Sequence, residues 1–230
     1  MSLILQIETA TASCSVALAK DGDVLAFKEV NERNIHAEVI TGFIDTLMES
    51  AAVKYGELDA IAVSCGPGSY TGLRIGVSTA KGLCFALDMP LIAVETLEAM
   101  ALGVINSNSN LLDEDTLLCP MIDARRMEVF TAIFDTEGNK IQPTSAAIID
   151  GDSFKELLKN HKVLFFGDGA EKCQSVLGEN PNTSFLPGFV NSAIYLTQKA
   201  SLKFKNKQFE DVAYFEPHYL KEFIAGKKAL

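Results

Sequence analysis

The sequence lacks any apolar run approaching twenty residues, which is the length that a helix needs to cross a bilayer. It also lacks the basic start of a secretory signal, because residues 1–8 are apolar with one terminal acid and read as a first strand. We therefore expect a cytoplasmic protein that makes no use of the membrane.

Cysteine and histidine are scarce. The cysteines are odd in number, widely spaced and each in or beside an apolar segment: Cys14, Cys65, Cys84, Cys119 and Cys173. This pattern predicts buried, reduced thiols. The three histidines, His36, His161 and His218, lie far apart in sequence, so we predict neither a metal site nor a cofactor.

Positive charge is also in short supply. The chain has 20 Lys and Arg against 30 Asp and Glu, a net charge of −10. Because phosphate neutralisation provides most nucleic-acid affinity, any RNA role is expected to be indirect and to need a basic partner. The lysines at 199, 203, 205 and 207 are interpreted as a solvated helix face.

One stretch organises the chain. Residues 60–63 read as a buried strand that stops at Pro67, and a glycine-rich turn leads into a helix that starts near Ser69 or Thr71. A phosphate cradle at the helix N-terminus is one interpretation. A tight turn before a packing helix is the other, and the Lys-Ser/Thr ending of a P-loop is missing.

The helix after this turn carries small residues on two stripes. Gly72, Gly76 and Ala80 lie four apart, and so do residues 78, 82 and 86. Interior glycine costs a helix about 1 kcal/mol relative to alanine. The glycines therefore predict the close approach of another backbone.

Element order suggests a duplicated plan. The predicted helices span 34–52, 70–87, 97–106, 152–160, 170–177 and 191–205, and both halves read βββαβαβα. The polar stretch 106–110 predicts two lobes, 1–108 and 109–230, with the last residues as candidates for a return to the first lobe. This order is typical of an α/β actin-like (ASKHA, ribonuclease H-like) fold, whose members usually hold a nucleotide between the lobes.

Several motifs resemble those of one bacterial family. Residues 65–76 resemble the G-P-G-S-[FY]-T-G-[LV]-R-I-G signature of the TsaB (YeaZ) family, which older usage calls glycoprotease-like. Similar matches cover the first hairpin (7–11 and 14–18), the pair Arg33 and His36, the D-A-R-R-x-E-V segment (122–129) and the P-x-Y-L-R tail (217–221). The resemblance is dense over the first 130 residues and sparse beyond them.

The resemblance implies a function without catalysis. TsaB proteins act as a scaffold for the catalytic paralogue TsaD, which works with the ATPase TsaE to place threonylcarbamoyl on adenosine 37 of tRNA. TsaD carries H-x-x-x-H where this chain has Thr96 and Met100, neither a plausible ligand. We thus expect an accessory subunit that meets tRNA only through the complex.

The two predicted helices 34–52 and 70–87 suggest a protein–protein interface. Paired across a two-fold axis, they would form a four-helix interface. We predict a homodimer when the chain is alone, and a TsaD heterodimer through an overlapping surface. The alternative is ordinary core packing. The predicted interface residues are His36, Val39, Ile40, Phe43, Ile44, Leu47, Gly72, Leu73, Gly76, Val77 and Ala80.

A nucleotide-using actin-like enzyme, such as a small kinase or ATPase, is the alternative function. Its candidate contacts are Thr9, Thr11, Ser13, Asp123, Gly167 and Gly169. The peptidase label is a third hypothesis, but neither a Gly-x-Ser-x-Gly elbow nor a zincin helix supports it.

Overall fold

The computed structural model describes residues 2–113 and 115–221. Ten strands form two five-stranded sheets. The strands are β1 (Leu3–Glu8), β2 (Ser13–Lys20), β3 (Asp23–Asn31), β4 (Ala60–Ser64), β5 (Leu91–Val94), β6 (Thr116–Asp123), β7 (Glu128–Phe134), β8 (Lys140–Ile148), β9 (Lys162–Phe166) and β10 (Thr183–Leu186). The helices are α1 (His36–Ser50), α2 (Tyr70–Leu87), α3 (Thr96–Ser107), α4 (Lys155–Leu158), α5 (Gln174–Leu177) and α6 (Thr197–Lys205).

The two sheets repeat one topology. The first has the order β3-β2-β1-β4-β5, and the second, read from its far edge, has the order β8-β7-β6-β9-β10. In each, three antiparallel strands are followed by two parallel ones. The βββ start and the later crossovers of both halves are those that the sequence pattern indicated. The prediction of a duplicated α/β, actin-like fold is confirmed.

Each sheet is covered on both faces, but two helices pack against the sheet of the other half. Helices α1 and α2 cover one face of the first sheet, and α6 covers the other with Leu196 and Ala200. Helix α3 buries Leu97 and Met100 against the second sheet. The predicted domain boundary at residue 108 stays a prediction, because α3 and α6 each pack against the sheet of the other half.

Three helices of the second half are shorter than predicted. The segment expected at 152–160 has only one helical turn, α4, because Ser153 and Asp150 hydrogen-bond to each other and hold the preceding residues as a turn. Phe154 then enters the helix with φ +63°. The segment at 170–177 is split between a 3₁₀ turn and α5, and a 3₁₀ turn over Ala193–Leu196 precedes α6.

The cysteines are all buried and unpaired, as predicted. Burial raises the pKa of Cys65, Cys84 and Cys119 to about 12, so these thiols stay protonated. Among the described residues, none of the helices has the length and apolarity that a bilayer crossing requires.

Candidate docking surface and interlobe cleft

The turn between β4 and α2 packs against another loop of the same chain. Ser69 caps α2 by accepting a hydrogen bond from the amide of Gly72 at 3.2 Å, and its own amide donates to the carbonyl of Ala10 at 2.7 Å. A Cβ at Gly68 would overlap the backbone of Ala10. The cradle-like turn therefore encloses the β1–β2 loop of the same chain.

The small-residue stripe of α2 packs against the same β1–β2 loop. A Cβ at Gly72 would overlap the carbonyl oxygen of Thr9, and one at Gly76 would overlap the Thr9 hydroxyl. That hydroxyl donates to the carbonyl of Gly72 at 2.8 Å. The close backbone approach predicted for this stripe is real, but it is intramolecular.

Most of the predicted interface residues are consequently core residues. The buried ones are His36, Ile40, Ile44, Leu47, Gly72, Leu73, Gly76, Val77 and Ala80. His36 instead brings its Nε2 to 3.0 Å from the carbonyl of Thr11 and 3.2 Å from that of Ser13. Val39 and Phe43 are half-buried. One apolar stripe of each helix is therefore used by the sheet beneath it, and the role of these residues in an interface stays a prediction.

A different face of α2 is left uncovered by the residues that the structure describes. Ser78, Gly82 and Ala86 are exposed at four-residue spacing, and a Cβ at Gly82 would meet no described atom within 4 Å. Phe85 lies beside them with 86% of its surface exposed. We call these four residues of α2 the outer helix surface.

The β1 terminus holds a buried carboxyl group. Glu8 has no exposed surface, and its Oε1 accepts the amide of Ala10 at 2.5 Å. Burial raises the pKa of Glu8 to about 7, against smaller opposing effects of the Ala10 amide, Ser64 and Asn191. Within the described residues, the Oε2 atom of Glu8 and the side-chain hydroxyl or amide groups of Ser13, Ser64 and Asn191 lack hydrogen-bond partners.

Two of the three candidate nucleotide contacts of the first lobe have hydroxyl groups that are engaged locally, whereas the Ser13 hydroxyl has no hydrogen-bond partner among the described residues. The Thr9 hydroxyl is bonded to α2, as described above, and the Thr11 hydroxyl accepts the amide of Ser13 at 3.3 Å. Those of the second lobe are engaged too. Lys172 donates to Asp123 at 2.5 Å, and a Cβ at Gly167 or Gly169 would overlap the β6 backbone. The glycines serve close packing of two strand ends.

The C-terminal segment 209–221, here called the strap, crosses both lobes. The amide of Glu210 donates to Leu91 at 2.9 Å, and that of His218 donates to Cys65 at 2.7 Å. The Lys81 ammonium holds the strap carbonyls of Ala213 and Phe215 at 3.2 and 2.9 Å. The sequence analysis raised a return of the last residues to the first lobe, but not the contacts that hold the strap there.

The strap closes a pocket of about 310 Å³ between the lobes, lined by residues including Pro67, Glu95, Lys140, Thr144 and His218. Glu95 pairs with Lys140 at 2.5 Å and accepts the Thr144 hydroxyl at 3.2 Å. This ion pair joins α3's first turn to β8, which sequence alone could not show. Thr96 and Met100, the positions of the absent histidines, are buried.

The chain also matches known proteins over most of its length. The family model described as "TsaD: tRNA N6-adenosine threonylcarbamoyltransferase" matches residues 29–228. The tRNA threonylcarbamoyladenosine biosynthesis protein TsaB of Bacillus subtilis is 30% identical over 226 residues, which cover 95% of this chain and 93% of that protein. The Escherichia coli TsaB is 38% identical over 138 residues, 60% of this chain and 57% of that protein.

Solved structures agree with these matches. Pseudomonas aeruginosa YeaZ superposes with a TM-score of 0.77 at 26% identity, covering 96% of this chain and all of that one. A second structure, of a protein with similarity to peptidase YeaZ from Pseudomonas aeruginosa, gives a TM-score of 0.79 at 25% identity, covering 96% of this chain and all of that one. The chain therefore belongs to the TsaB (YeaZ) family, within the wider family that the TsaD model describes.

Proposed function

We propose that this chain is a non-catalytic subunit of tRNA threonylcarbamoyladenosine biosynthesis, which binds a TsaD-type paralogue and acts with a TsaE-type ATPase. The family assignment supports the pathway. The outer helix surface is the single observation that supports docking, since a fully solvated helix gains nothing from an exposed phenylalanine beside a glycine. A role on tRNA places the protein in the cytoplasm.

The chemistry of the surface suits another helix. Ser78, Gly82 and Ala86 let a partner backbone approach closely, and Phe85 offers an aromatic anchor that would be buried on docking. The same surface on two copies would give the homodimer expected when the chain is alone, and TsaD would replace one copy.

The scaffold role is further supported by what occupies the paralogue's catalytic positions. Met100 is a core residue whose methyl group packs close to Gly167, and Thr96 begins α3. Both positions support the junction of the lobes. Because five of the six candidate nucleotide residues, all but Ser13, are engaged by their own neighbours, we do not propose a kinase or ATPase function.

The docking surface is tested by the substitutions Gly82→Arg and Phe85→Asp. We expect both to abolish co-purification with the TsaD-type paralogue, while circular dichroism stays unchanged because neither side chain contacts the core. Leu202→Asp is the matched control, since Leu202 is 51% exposed on α6, on the far side of the sheet. Normal binding by the Phe85→Asp variant would place the interface elsewhere.

A reconstitution tests the role itself. TsaD- and TsaE-type proteins are incubated with unmodified tRNA, ATP and a source of activated threonylcarbamoyl groups, with and without this chain. Modification should require the chain and should fail with the Phe85→Asp variant. Modification by this chain without TsaD would contradict the non-catalytic assignment.

A further inference from the structure

The β6–β7 turn presents two arginines in an unfavourable backbone conformation. Arg125 and Arg126 have φ of +74° and +47°, and both are exposed. A residue with a Cβ is disfavoured in the left-handed region, which glycine occupies readily. The amide of Arg125 is fixed by Asp123 at 2.9 Å, and its carbonyl accepts the amide of Glu128 at 3.1 Å. The turn thus holds two guanidinium groups outward at a conformational cost.

The neighbouring carboxylates already have cations. Lys172 pairs with Asp123 at 2.5 Å, and Lys221 of the strap pairs with Glu128. Arg33 lies close enough to interact electrostatically with Asp123 and Asp168. Within residues 2–113 and 115–221, neither Arg125 nor Arg126 makes an ion pair. Their charge is therefore a local surplus in a chain of net charge −10.

The strap joins this turn to a third arginine that is stacked on aromatic rings. The Arg74 guanidinium lies 4.0 Å from the Tyr70 ring centroid, and its Nε donates to the Tyr219 hydroxyl at 3.2 Å. The two tyrosine rings lie 4.9 Å apart, and Tyr219 is 37% exposed. Lys221, two residues later, reaches the β6–β7 hairpin. We call Arg74, Tyr219, Lys221, Arg125 and Arg126 the arginine strip.

We propose that the arginine strip binds a strand of RNA, with phosphates on the guanidinium groups of Arg125 and Arg126 and a base against Tyr219. This rests on the proposed function, and it makes the tRNA contact direct where the sequence predicted an indirect one. Guanidinium groups match phosphate geometry, and tyrosine and arginine planes stack with bases. An acidic protein partner would use the charges but would have no need of the stacked rings.

The two arginines of the β6–β7 turn are separate from the outer helix surface, because Arg125 and Arg126 lie on the other lobe. Arg74 is the member of the strip nearest to that surface, since it precedes Ser78 by one turn of α2. Substitutions in the β6–β7 turn should therefore leave docking of the paralogue intact.

The experiment measures binding of an unmodified tRNA transcript to the assembled complex over a salt series. We expect Arg125→Gly with Arg126→Gly, chosen to suit the positive φ values, to weaken binding about tenfold and to make the slope of log K against log salt shallower by one to two. Tyr219→Leu should weaken binding and leave the slope unchanged. Lys205→Ala with Lys207→Gly removes the same charge elsewhere and should change neither quantity.

Several other outcomes would contradict RNA binding by the arginine strip. An unchanged slope in the arginine variant, an equal loss in the lysine control, or no salt-dependent RNA binding by the unaltered complex would overturn it. Tight binding of an acidic peptide that the arginine variant loses, with RNA binding unaltered, would assign the surface to a protein instead. If no complex with the paralogue forms, the proposed function fails, and the same variants are then compared as the single chain at low salt.

Discussion

Glu8 shows how a single side chain is set by its surroundings. It ends β1 with its carboxyl group fully buried between the Ala10 amide, Ser64 and Asn191, and it interacts electrostatically with the Cys14 thiol. Because burial removes the carboxyl group from water, the neutral acid is favoured. The sequence shows an acidic residue at the end of an apolar strand, but it does not show that this side chain is shielded from water.

The burial of Glu8 predicts a dependence of stability on pH. Its folded pKa of about 7 lies above the unfolded value of 4.5, so its stabilising effect is complete below pH 4.5 and is lost as the pH rises through 7. The loss amounts to about 3 kcal/mol in the free energy of unfolding. Urea unfolding between pH 5 and 8 should show this fall in the unaltered protein and not in a Glu8→Gln variant.

The exposed Glu49 of α1 offers the matched control for this change. A Glu49→Gln variant should keep the slope of the unaltered protein, because it removes an exposed carboxylate and leaves the buried Glu8 in place. Parallel curves for the unaltered protein and the Glu8→Gln variant would mean that Glu8 stays ionised when folded.

At the scale of the element, α2 uses its glycines in two ways. Gly72 and Gly76 admit the β1–β2 loop, where a methyl group would overlap Thr9. A Cβ at Gly82 would meet no atom of the described residues within 4 Å. The sequence shows three interior glycines and the cost they share, but only the packing separates those that the fold requires from the one that it does not.

Two alanine substitutions in α2 should therefore have opposite effects. Gly72→Ala should lower the free energy of unfolding by about 2 kcal/mol or more, because the backbone carbonyl of Thr9 cannot move away from the new methyl group. Gly82→Ala should raise it by about 1 kcal/mol through helix propensity alone. Thermal and urea unfolding of the two variants measure the difference. A stabilising Gly72→Ala change would refute the close approach of Thr9.

At the scale of the whole molecule, each half of the chain contributes a helix that packs on the sheet of the other half. Helix α3 covers the second sheet, and α6, joined to Gln6 and Ala93 by hydrogen bonds from Thr197 and Lys203, covers the first. The Glu98–Lys199 pair at 2.6 Å links the two helices directly. The strap adds a third crossing. Each lobe thus depends on a segment from the other half of the chain.

We expect the full chain to unfold in one calorimetric transition, and residues 1–108 alone not to fold. That fragment would expose Leu97 and Met100 of α3 and would leave Ile4 and Ile92 without Leu196 and Ala200. A chain of residues 1–95 joined by a flexible linker to residues 193–221 keeps Leu196 and Ala200 packed on the first sheet. We expect this chain to fold, as judged by circular dichroism. A folded 1–108 fragment would show that the lobes are independent.

The sequence by itself determined the elements and their order, the buried cysteines and the family. These follow from local periodicity, turn residues and contiguous motifs, which need no knowledge of distant contacts. Only the tertiary structure decided that the small-residue stripe of α2 faces Thr9, that Glu95 and Glu98 pair with Lys140 and Lys199, and that the P-x-Y-L tail straps both lobes. The physical reason is that an amphipathic pattern says a face must be covered, while the identity of the cover depends on residues far away in the chain.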